Sequence, residues 1–236
     1  MPVVLKDQVV LVVGASSGMG RETAILFARE GARVVASARR EDRLRELQEH
    51  GIAVHPADAT DPAAMEALAE AALALYGRID ILVYATGTNI PDRALTRLTT
   101  ELWDMMVGVN LNGAYYATRA VLPGMREQKA GSIYYISSKS AIVPDESGAS
   151  YQAAKRGLAG LAQAIRVEEK DNGIRTCVVF PGLTDTEIIL RRPVKTPAET
   201  LAKALQAVDV AELVVSLAKL PARAWVPEVQ LFPAGL

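Results

Sequence analysis

The chain has 236 residues, half of them hydrophobic, with 26 basic and 27 acidic side chains and a formal net charge of −1. That composition excludes a disordered chain, and the balanced charge leaves no footprint for nucleic acid or an anionic membrane surface. A single cysteine, Cys177, excludes an internal disulfide and is compatible with a reducing compartment.

The length suits one α/β domain over 1–236. No apolar run reaches the roughly 18 residues that span a bilayer. The start, Met1-Pro2-Val3, lacks a charged leader and apolar h-region, so no signal peptide is expected. The expectation is a soluble cytoplasmic protein.

In chain order, residues 8–13 form an almost unbroken Val/Leu run, as a strand buried on both faces should. A helix is predicted over 18–30, ending at Gly31 as its C-cap. A strand over 33–38, a charged helix over 41–50 and a strand over 52–55 follow. Asp61 is the expected cap of a helix with Pro62 in its first turn, running to Tyr76 and ending at Gly77. A strand over 80–84 precedes a long helical stretch from about Glu101 to Arg126, with bends expected near Gly108 and Gly113. Then come a strand over 132–137, a helix over 151–170 and a strand over 174–180. A helix over 209–220 and a short strand over 229–232 complete the chain. Alternating β and α elements predict a single doubly wound Rossmann-type domain, with about seven parallel strands and helices on both faces. The least regular segment, from Thr184 to Pro197, follows a strand end where ligands bind in such sheets. A candidate substrate lid is therefore placed over 184–205.

Between the first strand and helix stands Gly14-Ala15-Ser16-Ser17-Gly18-Met19-Gly20. Glycines there permit a tight turn and close backbone approach to a pyrophosphate, and the next helix points its N-terminus at it. The second strand ends in Ser37-Ala38-Arg39-Arg40, without the acid that would bind the 2′-hydroxyl of NAD. Arginine there pairs with a 2′-phosphate, so NADP(H) is expected rather than NAD(H); the alternative is that Arg39 and Arg40 merely solvate a helix start. Tyr151 and Lys155 lie four apart on a predicted helix and share a face. A phenol titrates near pH 10, and a neighbouring ammonium lowers that value, so the pair can pass a proton to a carbonyl or take one from an alcohol. Ser137-Ser138 ends a strand just upstream, where a hydroxyl could hold the substrate oxygen.

With these pieces in place the sequence resembles the short-chain dehydrogenase/reductase family along nearly its whole length. Further matching pieces are Asp58 in Ala57-Asp58-Ala59-Thr60-Asp61, Asn110 in Val109-Asn110-Leu111, Ile136-Ser137-Ser138, and Pro181-Gly182 followed by Thr184 and Thr186. The resemblance implies Tyr151 as general acid/base, Lys155 on the nicotinamide ribose, and Ser138, rather than Ser137, orienting the substrate. Asn110 would hold a relay water. It also implies an adenine contact from Asp58 with Ala59 beside it, cofactor contacts from Ala85, Gly87, Pro181, Gly182 and Thr186, and nicotinamide carboxamide contacts from Leu183 and Thr184. Two departures stand out. Tyr84-Ala85-Thr86-Gly87 replaces the family's Asn-Asn-Ala-Gly, and Val13 replaces a threonine before the first glycine.

The expected activity is NADP(H)-dependent interconversion of a small-molecule carbonyl and alcohol. Rival readings are an NAD-dependent alcohol dehydrogenase and a non-catalytic NADP(H)-binding sensor or scaffold. His50 and His55 lack partners at ligand spacing, so no metal is expected. Cys177 reads as a small buried hydrophobe. Trp103, Met105 and Met106 read as helix packing. Arg191, Arg192 and Lys195 read either as surface charges or as selectors of an anionic substrate, and Asp145 and Glu146 either as solvated or as substrate contacts. Small residues along the helix after Tyr151, among them Gly157 and Gly160, imply with the resemblance a homo-oligomer, a tetramer or dimer.

Overall fold

Val9–Val13 (β1) is buried at every position, and its side chains divide by parity. Leu11 and Val13 enter one apolar core, while Val10 and Val12 enter another on the opposite face. That is the burial expected of a central strand in a covered sheet. The computed structural model describes residues 3–236; Met1 and Pro2, which open the segment read above as leaderless, lie outside the described residues.

The strands Arg33–Ser37 (β2), Ala53–Val54 (β3), Ile81–Tyr84 (β4), Gly131–Ile136 (β5) and Ile174–Pro181 (β6) join β1 in the main sheet. Thr184–Asp185 (β7) and Leu205–Gln206 (β8) form a separate parallel pair, and Glu228–Leu231 (β9) closes the main sheet. The order is β3-β2-β1-β4-β5-β6-β9, parallel throughout. It is the doubly wound Rossmann-type sheet, and the strand order reverses between β1 and β4. A crevice opens at that point beyond the strand C-termini.

The helices are Gly18–Arg29 (α1), Glu41–Arg45 (α2), Pro62–Tyr76 (α3), Thr100–Val107 (α4), Gly113–Gln128 (α5), Ala149–Glu169 (α6), Ala198–Leu201 (α7) and Ala207–Ala218 (α8). Residues of α3, α5 and α6 fill the first core; residues of α1, α2 and α8 fill the second. Helix α3 starts as expected, with the Asp61 carboxylate accepting from the Ala63 N–H at 2.9 Å, and stops at Gly77 with φ +76°. Two expectations change. The charged helix over 41–50 becomes 3-10 after Arg45. The long helix from about Glu101 to Arg126 is split by a π-helical segment, Gly108–Asn112, which also carries Asn110. The irregular segment after β6 has order of its own: the β7/β8 pair brackets a 3-10 turn, Glu187–Arg191, and α7. Among the described residues no helix is long and apolar enough to cross a membrane.

Candidate active site

The glycine turn leaves β1 and is pinned by the Gly14 and Ala15 N–H groups, which donate to the Ser37 carbonyl at 2.8 and 3.0 Å. Gly14 has φ +96°, and a Cβ there would lie 2.6 Å from the Thr86 nitrogen. A Cβ at Gly20 would strike the Gly14 carbonyl. No side chain caps the first turn of α1, because Ser17 makes no cap bond. Unpaired N–H groups and the positive end of the helix thus face a glycine-lined hollow, which fits a pyrophosphate. The groove above it measures about 290 Å³. It is lined by Gly14, Ser16, Ser17, Gly18, Met19, Gly20, Arg39, Arg40, Asp58, Ala59, Ala85, Gly87, Tyr151, Lys155 and Thr186.

At the β2 end of the groove, Arg40 donates to the Ser16 hydroxyl at 3.1 Å and to the Ser17 hydroxyl at 2.6 Å. Its Nη1 donates to Glu187 at 2.8 Å, and Arg43 pairs with the other oxygen of the same carboxylate. The two arginines hold the Glu187 carboxyl below the usual range. Arg39 is more exposed, with Nη1 3.7 Å from Asp58. Burial pushes the Asp58 carboxyl up, but hydrogen bonds from the Thr60 N–H and hydroxyl, with Arg39, bring it below its ordinary value. Glu187 carries no sequence signal of its own. It reaches the groove only because the turn after β7 folds back across it.

Tyr151 and Lys155 project together from α6, with the ammonium 5.9 Å from the phenol ring centroid. The Lys155 Nζ donates to the Ile136 carbonyl at 2.9 Å, and burial pulls it down to about 8. Burial also pushes the Tyr151 phenol up to about 12, against the pull of the Ser138 hydroxyl and of Arg93 and Arg192. Desolvation thus dominates, and the depression comes from Ser138, Arg93 and Arg192 rather than from Lys155 as expected. Ser137 donates its hydroxyl into α6, to the Lys155 carbonyl at 2.8 Å, which locks β5 to that helix. Ser138 instead bonds Ser140 at 3.2 Å on the wall of a second cavity.

Asn110 lines neither cavity. It is fully buried behind Gly87, where its amide donates to the Thr88 and Met106 carbonyls and its oxygen accepts from the Thr88 N–H. A Cβ on Gly87 would lie 3.1 Å from Lys155 Nζ and 3.3 Å from Asn110 Oδ1, so glycine here lets the two approach. The departure at Tyr84 has a visible use: its buried hydroxyl donates to the Val109 carbonyl at 2.7 Å, inside the π-helical segment that carries Asn110.

The second cavity, about 450 Å³, lies against the first, and Tyr151 borders both. Pro181, Gly182, Leu183 and Thr184 line this cavity rather than the groove; Thr186 lines both. Asp145 and Arg192 also reach it, as does Arg93 from the loop after β4. Arg191 lines the groove instead. Among the described residues no group of three His, Cys, Asp or Glu is placed to hold a metal. The Cys177 thiol sits in the second core, pushed up to about 12 by burial, and is inert there.

A family model described as short chain dehydrogenase matches residues 8–195. The chain belongs to the short-chain dehydrogenase family. Among its relatives is an uncharacterized oxidoreductase of Staphylococcus saprophyticus, 37% identical over 190 residues, covering 78% of this chain and 77% of that one. Among solved structures, the closed form of a serine dehydrogenase complexed with NADP+ superposes with TM-score 0.88 at 30% identity, covering 95% of this chain and 94% of that one. An alcohol dehydrogenase from the archaeon Thermococcus sibiricus, complexed with 5-hydroxy-NADP, gives TM-score 0.85 at 27% identity and covers 97% of each chain. This short-chain dehydrogenase is thus an oxidoreductase built on a Rossmann-type nucleotide-binding fold.

Proposed function

We propose that this protein is an NADP(H)-dependent oxidoreductase that interconverts a carbonyl and an alcohol, with Tyr151 as general acid/base. The observation that carries the reading is that Tyr151 stands on the shared wall of the dinucleotide groove and the second cavity, with Lys155 on the groove side and Ser138 on the other. A nicotinamide dinucleotide supplies or accepts the hydride when bound. The rest is work for the chain's own side chains. A phenol at about 12 keeps its proton through the neutral range, the state a proton donor needs in carbonyl reduction. The Ser138 hydroxyl orients the carbonyl oxygen toward it. Lys155, beneath the phenol, holds the ribose hydroxyls, and Asn110 anchors the Thr88 backbone behind both. Gly14, Gly18 and Gly20 with the α1 N-terminus take the pyrophosphate, and Asp58 and Ala59 take the adenine.

Support for the 2′-phosphate comes from Arg40, held by two serine hydroxyls at the groove's end, with Arg39 beside it. The two solved relatives described above were seen with NADP+ or an NADP analogue. The test is a parallel fluorescence titration with NADPH and NADH. NADPH should bind at least about tenfold tighter, and Arg40→Ala should erase most of that margin, as loss of one charge-assisted contact implies. Equal affinities would overturn the NADP reading. Tyr151→Phe should lower turnover by about 100-fold or more while leaving NADPH binding within about threefold; wild-type-like turnover would remove Tyr151 from the mechanism.

A further inference from the structure

We infer that the second cavity holds a carboxylate-binding site built on Arg93, with Arg192 at its rim, so that the substrate pair is a short hydroxy acid and its oxo acid. The inference rests on the oxidoreductase reading above and narrows it.

Arg93 is an arginine at only 8% exposure. Its stem is clamped against Gly148, three residues before Tyr151; a Cβ on that glycine would lie 2.7 Å from both the Arg93 Cβ and carbonyl oxygen. The root of the Arg93 side chain is therefore tied to the start of α6. Nε donates to the Ile90 carbonyl at 2.9 Å and Nη2 to the Arg191 carbonyl at 2.7 Å. Both partners are neutral. Among the described residues, Nη1 donates to nothing, yet it is not a sealed atom, and Arg93 lines the cavity. No carboxylate oxygen of the described residues lies within 4 Å of Arg93 or Arg192.

Among the described residues, the one acidic side chain on the cavity wall, Asp145, compensates it only in part and from beyond ion-pair distance. Asp145 has both oxygens engaged, Oδ2 by the Ser140 hydroxyl at 2.6 Å and Oδ1 by the Ser147 N–H at 2.9 Å. Lys139 and Arg192 add further positive charge from exposed positions. A cation removed from water without an anion in contact is costly. Burial, then Arg192, weaken Arg93's hold on its proton, and Tyr151 and Asp145 offset this only in part, so an anion beside it would relieve both effects. A structural peg between two loops would need only Nε and Nη2. Nη1 is the surplus, and a guanidinium fork matches a carboxylate.

The position relative to the chemistry is favourable. Arg93, Arg192, Ser138 and Tyr151 line one cavity, so the anion would share that cavity with the reacting carbon. In reduction the oxo acid's carbonyl carbon takes the hydride from NADPH and its oxygen takes the phenol proton of Tyr151. Oxidation is the reverse: Tyr151 first gives its proton to solvent and then, as phenolate, accepts the substrate's hydroxyl proton while the carbinol hydride goes to NADP+. The carbonyl forms, and the carboxylate stays on Arg93 unchanged.

The experiment compares 2-, 3- and 4-hydroxybutanoate, their methyl esters and 2-butanol as substrates with NADP+, for the wild type, Arg93→Met, Arg93→Lys and Arg192→Met. At least one acid should exceed its ester by about 30-fold or more in kcat/KM. Arg93→Met should abolish that margin mainly through KM, Arg93→Lys should restore part of it, and ester, 2-butanol and NADPH affinity should stay within about threefold. Arg192→Met, at an exposed site, should cost a smaller factor and carries the test should Arg93→Met not fold. Esters turned over as well as acids, or all substrates slowed alike by Arg93→Met, would overturn the site. If the wild type oxidises none of these alcohols, the oxidoreductase reading is in question, and calorimetry decides the site separately. Saturable binding of one of the three acids, lost in Arg93→Met, supports it; no heat from any of them overturns it.

Discussion

Lys155 is the side chain whose burial is hardest to justify by folding alone. It is 3% exposed, and among the described residues its ammonium has one hydrogen-bond partner, the Ile136 carbonyl. Desolvation lowers it from 10.5 to about 8. Between those values the unfolded chain binds the proton and the folded one does not, so stability rises with pH across that window. Below pH 8 the cost of the buried charge is fully present. Lys155→Met should therefore be more stable than the wild type at pH 7, by on the order of 3 kcal/mol, and inactive. Denaturant melts at pH 7 and pH 10 check it. The gap should narrow toward the higher pH, and a gap independent of pH would mean that packing rather than charge sets it.

At the scale of elements, the turn after β7 decides access to the groove. Glu187 lies in the 3-10 segment Glu187–Arg191, and its carboxylate occupies both Arg40 and Arg43. A 2′-phosphate directed to Arg40 must compete with it. All three side chains are 40–46% exposed, so the ion pairs are worth about 1 kcal/mol or less. Glu187→Ala should tighten NADPH binding by up to about fivefold and leave NADH unchanged, as read by the same titration. Weaker NADPH binding would instead make Glu187 an organiser of Arg40. The π-helical segment Gly108–Asn112 is the other decisive element. It turns Asn110 inward between Thr88 and Met106, and the Tyr84 hydroxyl steadies it from below. The residue that departs most from the family pattern is thus engaged in holding the backbone beside the site.

For the whole molecule, the α5/α6 face is the surface to watch. Tyr115 is 48% exposed and Val167 68% exposed, and a Cβ on Gly160 would meet nothing of this chain. A second chain can approach closely where side chains are absent. Light scattering is expected to return two or four times 25.2 kDa, and Val167→Glu to shift the mass downward. A wild-type mass of one chain would end the oligomer reading.

What the sequence determined by itself was whatever local pattern encodes. Continuous β-branched runs specify strands covered on both faces, and Asp61-Pro62 and Gly77 bound α3. The glycine turn specifies a helix start open to an anion, and a spacing of four puts Tyr151 and Lys155 on one face. Tertiary structure alone decided the rest, because those features depend on contacts between segments far apart in the chain. Glu187 reaches Arg40 across 147 residues, and Arg93 reaches the Arg191 carbonyl across 98. Neither lies in a periodic element that would betray its direction. The protonation of Tyr151 is of the same kind: the Lys155 spacing suggests a lowered phenol, but burial on closing the domain dominates, and desolvation cannot be read from a spacing.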